Sequence, residues 1–284
     1  TGTATIVSGS VTQGQGHETV YKQLVCDRLG LEMDEVHYVW GDTDKVAVGQ
    51  GTGGSRSATL GGSSLHMAAD RVIDKAKRIA AHRLEAAVDD IAFDEGVFTI
   101  AGTDRNITIK EVARVAANPV DLTADYEPCL ICTAVFAAKV MNFPNGCHVC
   151  EVEIDPDTGT VEIVSYSVVD DVGTVMNPLL VKGQIHGGIA QGAGQILIED
   201  IAFDPKTGQL LTGAFMDYAM PRADDLSMFE VKSNPVPTKT NPLGVKGCGE
   251  AGTVGAMPAV INAIVDALAQ SNRIVDEVNR DLGV

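Results

Sequence analysis

Residues 149–169, VCEVEIDPDTGTVEIVSYSVV, are the stretch of sequence that decides the fold class. Apolar and polar residues alternate on both sides of the turn Asp155-Pro156-Asp157-Thr158-Gly159, and this pattern predicts two antiparallel strands joined as a hairpin. The next regular segment, residues 178–198, has the apolar spacing of a glycine-dotted helix. Because strands and helices mix without a regular strand-helix-strand alternation, the sequence predicts an α+β fold rather than a doubly wound sheet.

Similar patterns extend from this hairpin towards both ends of the chain. They predict strands at 3–11 and 36–40, helices at 17–29, 65–84 and 109–116, a hairpin at 91–100, two strands around a second turn at 204–208, and a helix at 258–269. Prolines at 119, 128 and 144 mark the least regular segment. We therefore predict a first α+β subdomain at residues 1–125 and a second at 126–284.

The charge balance restricts the partners of the chain. Its 284 residues contain 21 Lys and Arg against 38 Asp and Glu, which gives a formal net charge of −17. This excess of acid argues against nucleic acid and against an anionic membrane surface as partners. The apolar stretches are interrupted well short of the ~20 residues of a membrane span. No export signal is visible and the six Cys fit free thiols, so we expect a cytoplasmic location.

Four glycine-rich loops carry polar or acidic side chains. They are Gly14-Gln15-Gly16, Gly51-Thr52-Gly53-Gly54-Ser55-Arg56-Ser57, Gly183-Gln184-Ile185-His186-Gly187-Gly188 and Gly247-Cys248-Gly249-Glu250. Glycine lets the backbone approach a ligand closely, and a following helix N-terminus favours anions. Three of the loops run into predicted helices. Together they predict one large anionic ligand held by backbone and amide groups.

Two other patterns give alternative interpretations. The pairs Cys129/Cys132 and Cys147/Cys150 have nearly the spacing of a zinc ribbon, which would suit a non-catalytic binding or assembly module. Against zinc, Cys147 and Cys150 would point to opposite faces of a strand. Residues 247–252 match G-x-G-x-x-G, but a dinucleotide site needs a strand before them and a strand-helix-strand unit around them.

Taken in order, five motifs of this chain resemble the C-terminal half of the molybdenum-binding large subunit in the xanthine oxidase family of molybdenum hydroxylases. The resemblance is strongest to the aerobic carbon monoxide dehydrogenase type of large subunit. The motifs are Gly14-Gln15-Gly16-His17-Glu18-Thr19, Gly54-Ser55-Arg56-Ser57, Val169-Asp170-Asp171-Val172-Gly173 with Asn177-Pro178, Gly183-Gln184-Ile185-His186-Gly187-Gly188, and Gly244-Val245-Lys246-Gly247-Cys248-Gly249-Glu250.

The resemblance implies a role for particular residues. Gln15, Gly16, Thr52, Gly54, Ser55, Arg56, Ser57 and Gln184 fall where the family binds the molybdopterin and its phosphates. Lys246, Cys248 and Gly249 fall on the loop beside the metal, where the backbone contacts the cofactor. Glu250 matches the glutamate that acts as general base. No protein side chain is expected to ligate the metal.

The resemblance also implies a reaction and partners. The reaction is hydroxylation of an electron-poor carbon, such as that of an aldehyde, an N-heterocycle or a CO-like substrate, with water as the oxygen source. The cofactor is molybdenum-molybdopterin, often the cytosine dinucleotide form in bacterial members. Iron–sulfur clusters and FAD are expected on partner subunits. The preceding half of the subunit, or a second molybdenum-binding chain, is expected to complete the site, so the chain alone is expected to be inactive.

Overall fold

The N-terminal segment forms a parallel strand-helix-strand unit in the computed structural model. The structure describes residues 2–118, 120, 122 and 126–282, without the side chains of 274–279, 281 and 282. Strand β1 (Ala4–Ser8) pairs in parallel with β2 (Val36–Trp40), and helix α1 (His17–Leu29) connects them. Gly30 ends α1 with a positive φ of 65°, and its N–H donates to the Cys26 carbonyl at 2.8 Å. A Cβ on Gly30 would overlap the backbone of Glu95 and Gly96, so only glycine fits there.

Helix α2 (Ser63–Leu84) forms the centre of the first compact unit, which comprises residues 1–141 and 238–245. The small antiparallel sheet of β3 (Ile91–Asp94), β4 (Val97–Ile100) and β5 (Asn106–Thr108) packs against it, as does helix α3 (Ile109–Ala117). Thr108 and Glu111 begin α3 with a capping box. The buried faces of α1, α2 and α3 share one apolar core.

The second compact unit comprises residues 142–237 and 246–284. Strands β6 (Asn145–Ile154) and β7 (Val161–Asp171) form the predicted hairpin, and β8 (Glu230–Ser233) pairs with β7 in parallel. Helix α4 (Pro178–Leu197) packs along α5 (Ala251–Leu282), and α5 lies on β6. Ile185 and Ile189 of α4 meet Ala256 and Val260 of α5 in the core.

The α+β fold class is confirmed, but two of the predicted elements are wrong. The turn at 204–208 forms, yet the segments beside it make only the isolated bridge between Phe203 and Leu210 rather than two strands. The last helix begins at Ala251 instead of 258 and contains Pro258 in its interior. The division after residue 125 adjoins residues 123–125, which lie outside the described part of the chain, and it stays a prediction.

One helical segment has membrane-like composition. Ala251–Arg273 of α5 is long and apolar enough to cross a bilayer by length and composition alone, a property that core helices of soluble proteins share. Ala256 and Val260 within it are fully buried against the second unit's core. The expectation that the chain does not insert into a membrane stays a prediction.

Candidate functional site

The glycine-rich segment at residues 49–57, called here the 49–57 loop, is hydrogen-bonded to the segment that follows β1. The Thr52 hydroxyl donates to the Val11 carbonyl at 2.7 Å and lies 2.9 Å from the Ser57 hydroxyl. The Gly51 N–H donates to the Gly9 carbonyl at 3.2 Å. The structure therefore brings Thr52 and Ser57, two of the predicted cofactor-binding residues, into direct contact.

Ser57 begins the helical turn that continues into α2. Its side chain is buried, and its carbonyl accepts a hydrogen bond from the Tyr21 hydroxyl at 2.8 Å. Burial raises the pKa of Tyr21 to about 12, so this hydroxyl stays protonated and remains a donor at neutral pH. Because the first backbone N–H groups of a helix have no acceptor within the helix, the turn at Ser57 is suited to bind an anionic group.

The tip of the 49–57 loop is open. Gly51 and Gly54 have positive φ angles of 66° and 60°, and a Cβ placed on either would meet no atom within 4 Å. Ser55 also adopts a positive φ, 53°, which is uncommon for a residue with a side chain. The Arg56 guanidinium donates to the Gln50 carbonyl at 3.2 Å, so it braces its own loop.

Gln15 lies in a tight turn between β1 and α1. Gly14 and Gly16 beside it have φ angles of 111° and 80°, and the Gln15 amide oxygen accepts from the Thr12 hydroxyl at 3.4 Å. His17 follows as the first residue of α1 and stacks on Tyr21 with ring centroids 5.6 Å apart. Burial lowers the pKa of His17, which keeps this ring neutral near pH 7.

In the second unit, Glu250 lies immediately before the first residue of α5. The Val254 N–H donates to the Glu250 carbonyl at 3.0 Å, and the Ala251 N–H donates to the Cys248 carbonyl at 3.3 Å. Gly249 and Glu250 are exposed. The predicted base thus lies at the N-terminus of a long helix, where a negative charge is stabilised.

Close packing against α4 determines where α5 begins. A Cβ on Gly188 would come within 2.9 Å of the Thr253 nitrogen and within 3.0 Å of the Gly252 Cα. The Thr253 hydroxyl donates to the Gly188 carbonyl at 3.0 Å. Gln184 lies one turn earlier on α4, partly buried. The two helix backbones therefore touch within one turn of Glu250.

The segment 246–250, called here the Glu250 loop, is tied to the end of β7. The Lys246 ammonium pairs with the Asp171 carboxylate, and both side chains are largely buried. The Lys246 N–H also donates to the Val172 carbonyl at 2.8 Å. Burial by itself raises the pKa of Asp171, but hydrogen bonds from Lys246 and from the Val236 and Gly173 N–H groups outweigh burial and lower it. Both the side chain and the backbone N–H of Lys246 are thus engaged inside the protein, and the cofactor contact that the resemblance implies for this residue stays a prediction.

Cys248 is the partly buried thiol of this loop. Burial raises its pKa, and the charge of Asp170 raises it further, so the thiol is protonated at neutral pH. A protonated, partly buried thiol is a poor nucleophile. The expectation that no protein side chain ligates the metal stays a prediction.

The predicted site residues form two groups. Gln15, Gly16, Thr52, Gly54, Ser55, Arg56 and Ser57 belong to the first unit, and Gln184, Lys246, Cys248, Gly249 and Glu250 belong to the second. Within each unit the residues cluster at the starts of helices or close to them. Their roles stay predictions.

Neither alternative interpretation gains support. Within the part of the chain that the structure describes, no three His, Cys, Asp or Glu side chains are gathered for a metal ion, and all six Cys are free. Cys147 and Cys150 both lie on β6. Among the described residues no strand lies between Ser233 and Ala251, so the G-x-G-x-x-G match at 247–252 lacks the strand that a dinucleotide site requires.

Two residues with evident roles in shaping the site were not singled out from sequence. Tyr21 supports the Ser57 turn, and Asp171 holds Lys246. The motif Val169-Asp170-Asp171-Val172-Gly173 contributed to the resemblance, but no role was assigned to its carboxylates. Their position at the end of a predicted strand was the available signal.

Residues 1–227 match the family model described as "Molybdopterin cofactor-binding domain". The chain belongs to this family. It is 37% identical over 280 residues to the nicotine 6-hydroxylase large subunit of Paenarthrobacter nicotinovorans, covering 98% of this chain and 34% of that protein. It is 35% identical over 273 residues to the carbon monoxide dehydrogenase large chain of Afipia carboxidovorans, covering 96% and 33%.

The solved structures agree with this family assignment. The crystal structure of quinoline 2-oxidoreductase from Pseudomonas putida 86 matches with a TM-score of 0.86 at 35% identity, covering 94% of this chain and 34% of that one. This member of the molybdopterin cofactor-binding family therefore spans about one third of the length of the relatives that it matches. The resemblance to molybdenum hydroxylase large subunits of the carbon monoxide dehydrogenase type is confirmed.

Proposed function

We propose that this chain is the part of a molybdenum hydroxylase that binds molybdopterin and supplies the general base. The observation that carries the proposal is the position of Glu250, which is exposed at the N-terminus of α5. The chain is held on both sides of Glu250: Lys246 pairs with Asp171, and Gly252 packs against α4. These contacts hold the backbone of the loop, which limits the positions that the exposed Glu250 carboxylate can reach.

The donor groups on this chain fit a long anionic cofactor. The 49–57 loop presents open glycine backbone at Gly51 and Gly54, is held by the hydrogen bonds of the Thr52 and Ser57 hydroxyls, and runs into a helix start. Such a surface accepts phosphates through neutral hydrogen bonds and the partial positive charge of the helix. In the second unit the backbone of Cys248 and Gly249 lies at another helix start.

When bound, the cofactor would supply a redox-active molybdenum centre for a hydroxylation in which water provides the oxygen. The protein's own contribution is a proton transfer. The Glu250 carboxylate would accept the proton of a water-derived hydroxyl within hydrogen-bond reach, which requires it to be ionised beforehand.

The proposed substrate is an electron-poor carbon of an aldehyde, an N-heterocycle or a CO-like molecule. The relatives are named for nicotine, quinoline and carbon monoxide, which supports this class without selecting a member. The remaining two thirds of the relatives' length would supply further contacts, whether on the same chain or on a second one. We further propose the cytosine dinucleotide form of the cofactor, iron–sulfur and flavin partner subunits, and a cytoplasmic location.

The test replaces Glu250 in the assembled enzyme. Glu250→Gln keeps the size of the side chain but removes the base, so kcat is expected to fall by about 10²–10⁴-fold while molybdenum content, measured by metal analysis, stays that of the wild type. Glu153→Gln, at an exposed carboxylate on β6, is the matched control and should leave both values unchanged. Retained turnover in Glu250→Gln would refute the assignment of the base, and an assembled enzyme without molybdenum would refute the function.

A further inference from the structure

Three polar side chains are buried together beneath the start of α5. His148 of β6 lies with its Nδ1 2.8 Å from the Tyr166 hydroxyl and its Nε2 3.4 Å from the Asp170 carboxylate, both on β7. The side chains of His148 and Asp170 are 6% and 3% exposed. A carboxylate removed from water in this way is costly unless a charge or several hydrogen bonds compensate it.

Two glycines make room for this arrangement. A Cβ on Gly146, which pairs with Asp170 across the hairpin, would overlap the Asp170 carboxylate. A Cβ on Gly255 would come within 2.5 Å of three atoms of the His148 ring. The ring therefore lies directly against the backbone of α5, one turn after the helix begins.

The neighbouring carboxylate acts on the other end of the same segment. Asp170 and Asp171 are successive residues of β7, so their side chains point to opposite faces of the sheet. Asp171 holds Lys246, while Asp170 holds the ring that touches Gly255. Asp170 is also close enough to Cys248 for its charge to act on that thiol.

We propose that Asp170 and His148 are positioning residues for the Glu250 loop and the first turn of α5. With the Asp171–Lys246 pair they hold residues 246–255 at both ends, so that Glu250 is presented at a constant position. This inference rests on the proposed function of Glu250. In this proposal both side chains act through the backbone of α5 rather than on the reacting atoms.

Hydrogen exchange of the apo form of the full-length subunit tests the positioning without the cofactor. His148→Gln and Asp170→Asn each remove one member of the buried pair, and loss of this buried polar contact is expected to speed amide exchange at residues 247–256 by about 10- to 100-fold. His66→Gln is the matched control, because His66 contacts Asp70 at 3.5 Å on α2 and has no part in the α5 contact. It should leave exchange at 247–256 unchanged.

A second pair of variants tests the contact itself. Gly255→Ala should clash with the ring and speed the same exchange when His148 is present, whereas in a His148→Ser background the added methyl group should cause little further acceleration because the smaller side chain makes room. Wild-type exchange in His148→Gln and Asp170→Asn would overturn the proposal. Uniformly faster exchange across β6, β7 and α5 would also overturn it, since that result indicates general unfolding.

Turnover separates this proposal from the function itself. In the assembled enzyme, His148→Gln should lower kcat with little change in KM, since a displaced base affects the chemical step more than substrate binding. If Glu250→Gln retains activity while the exchange results hold, the assignment of the base fails, and His148 and Asp170 keep only a structural role in holding residues 246–255. If exchange is unchanged while Glu250→Gln is inactive, the positioning fails and the function stands.

Discussion

The close approach of α4 and α5 can be tested by replacing each of two adjacent glycines with alanine and comparing the stabilities of the two variants. Gly187 and Gly188 are both in the middle of α4, but only Gly188 faces α5. A Cβ on Gly188 would lie 2.9 Å from the Thr253 nitrogen and 3.2 Å from the Gly252 carbonyl carbon, whereas a Cβ on Gly187 meets no atom within 4 Å. Alanine at these two positions therefore adds the same methyl group to a tight contact and to open space.

The magnitudes follow from two effects. Replacing a mid-helix glycine by alanine stabilises a protein by about 0.5–1 kcal/mol, and this gain applies to both variants. Overpacking costs about 1–3 kcal/mol, and it applies to Gly188→Ala alone because the obstructing atoms belong to backbone that cannot rotate away. The helix term cancels in the difference, so Gly188→Ala should be less stable than Gly187→Ala by about 1–3 kcal/mol.

Urea unfolding of the apo protein, followed by circular dichroism, measures this difference directly. We expect Gly187→Ala to raise the midpoint and Gly188→Ala to lower it, with equal m-values. Equal stabilities for the two variants would refute the close approach of the helices. So would a Gly188→Ala variant more stable than the wild type.

Two further predictions concern single side chains. Asp171→Asn should destabilise the protein by about 1–3 kcal/mol at pH 7. Because the pKa of Asp171 in the folded protein lies below its usual 3.8, the stability contributed by its carboxylate is present above pH 3.8 and is lost as pH falls through the folded pKa. The difference in urea midpoint between wild type and variant should therefore be smaller at pH 3 than at pH 7, and a constant difference would contradict the pairing with Lys246. Tyr21→Phe removes the hydroxyl that donates to the Ser57 carbonyl and should lower the free energy of unfolding by about 1–2 kcal/mol. The 49–57 loop should then be cleaved faster in limited proteolysis, and unchanged cleavage would show that this hydrogen bond does not order the loop.

Elements that depend on local signals were predictable from the sequence. Helix α1 ends where Gly30 predicts it, and the hairpin of β6 and β7 turns at Asp155–Gly159 because Asp155 accepts the N–H groups of Asp157 and Thr158. The turn at Asp204 has the same local hydrogen bonds. The segments on either side of this turn form only the bridge between Phe203 and Leu210, because a turn brings two segments together without determining how far their backbone hydrogen bonds extend.

The start of α5 depended on contacts that the sequence does not display. Gly252 and Gly255 argue against a helix when only local propensity is considered. In the structure they are the residues that let α5 approach α4 and His148. Tertiary packing thus extends the helix to Glu250, ahead of the proline that had marked its predicted start.

The candidate loop residues could be singled out from the sequence, whereas the side chains that hold these loops could not. The glycine loops and Glu250 lie in continuous motifs, and their roles stay predictions. The Lys246–Asp171 pair joins residues 75 positions apart, and the His148–Asp170 contact depends on the register of β6 against β7. Neither follows from residue type or spacing.

The protonated state of the Cys248 thiol has a practical consequence for work with this protein. Cys129 and Cys147 are exposed, whereas Cys248 is partly buried with a raised pKa. Alkylating reagents at neutral pH attack accessible thiolates first. In a Cys129→Ser variant, a spectroscopic label is therefore expected to react at Cys147 on β6 before Cys248, and such a label would report on the hairpin rather than on the Glu250 loop.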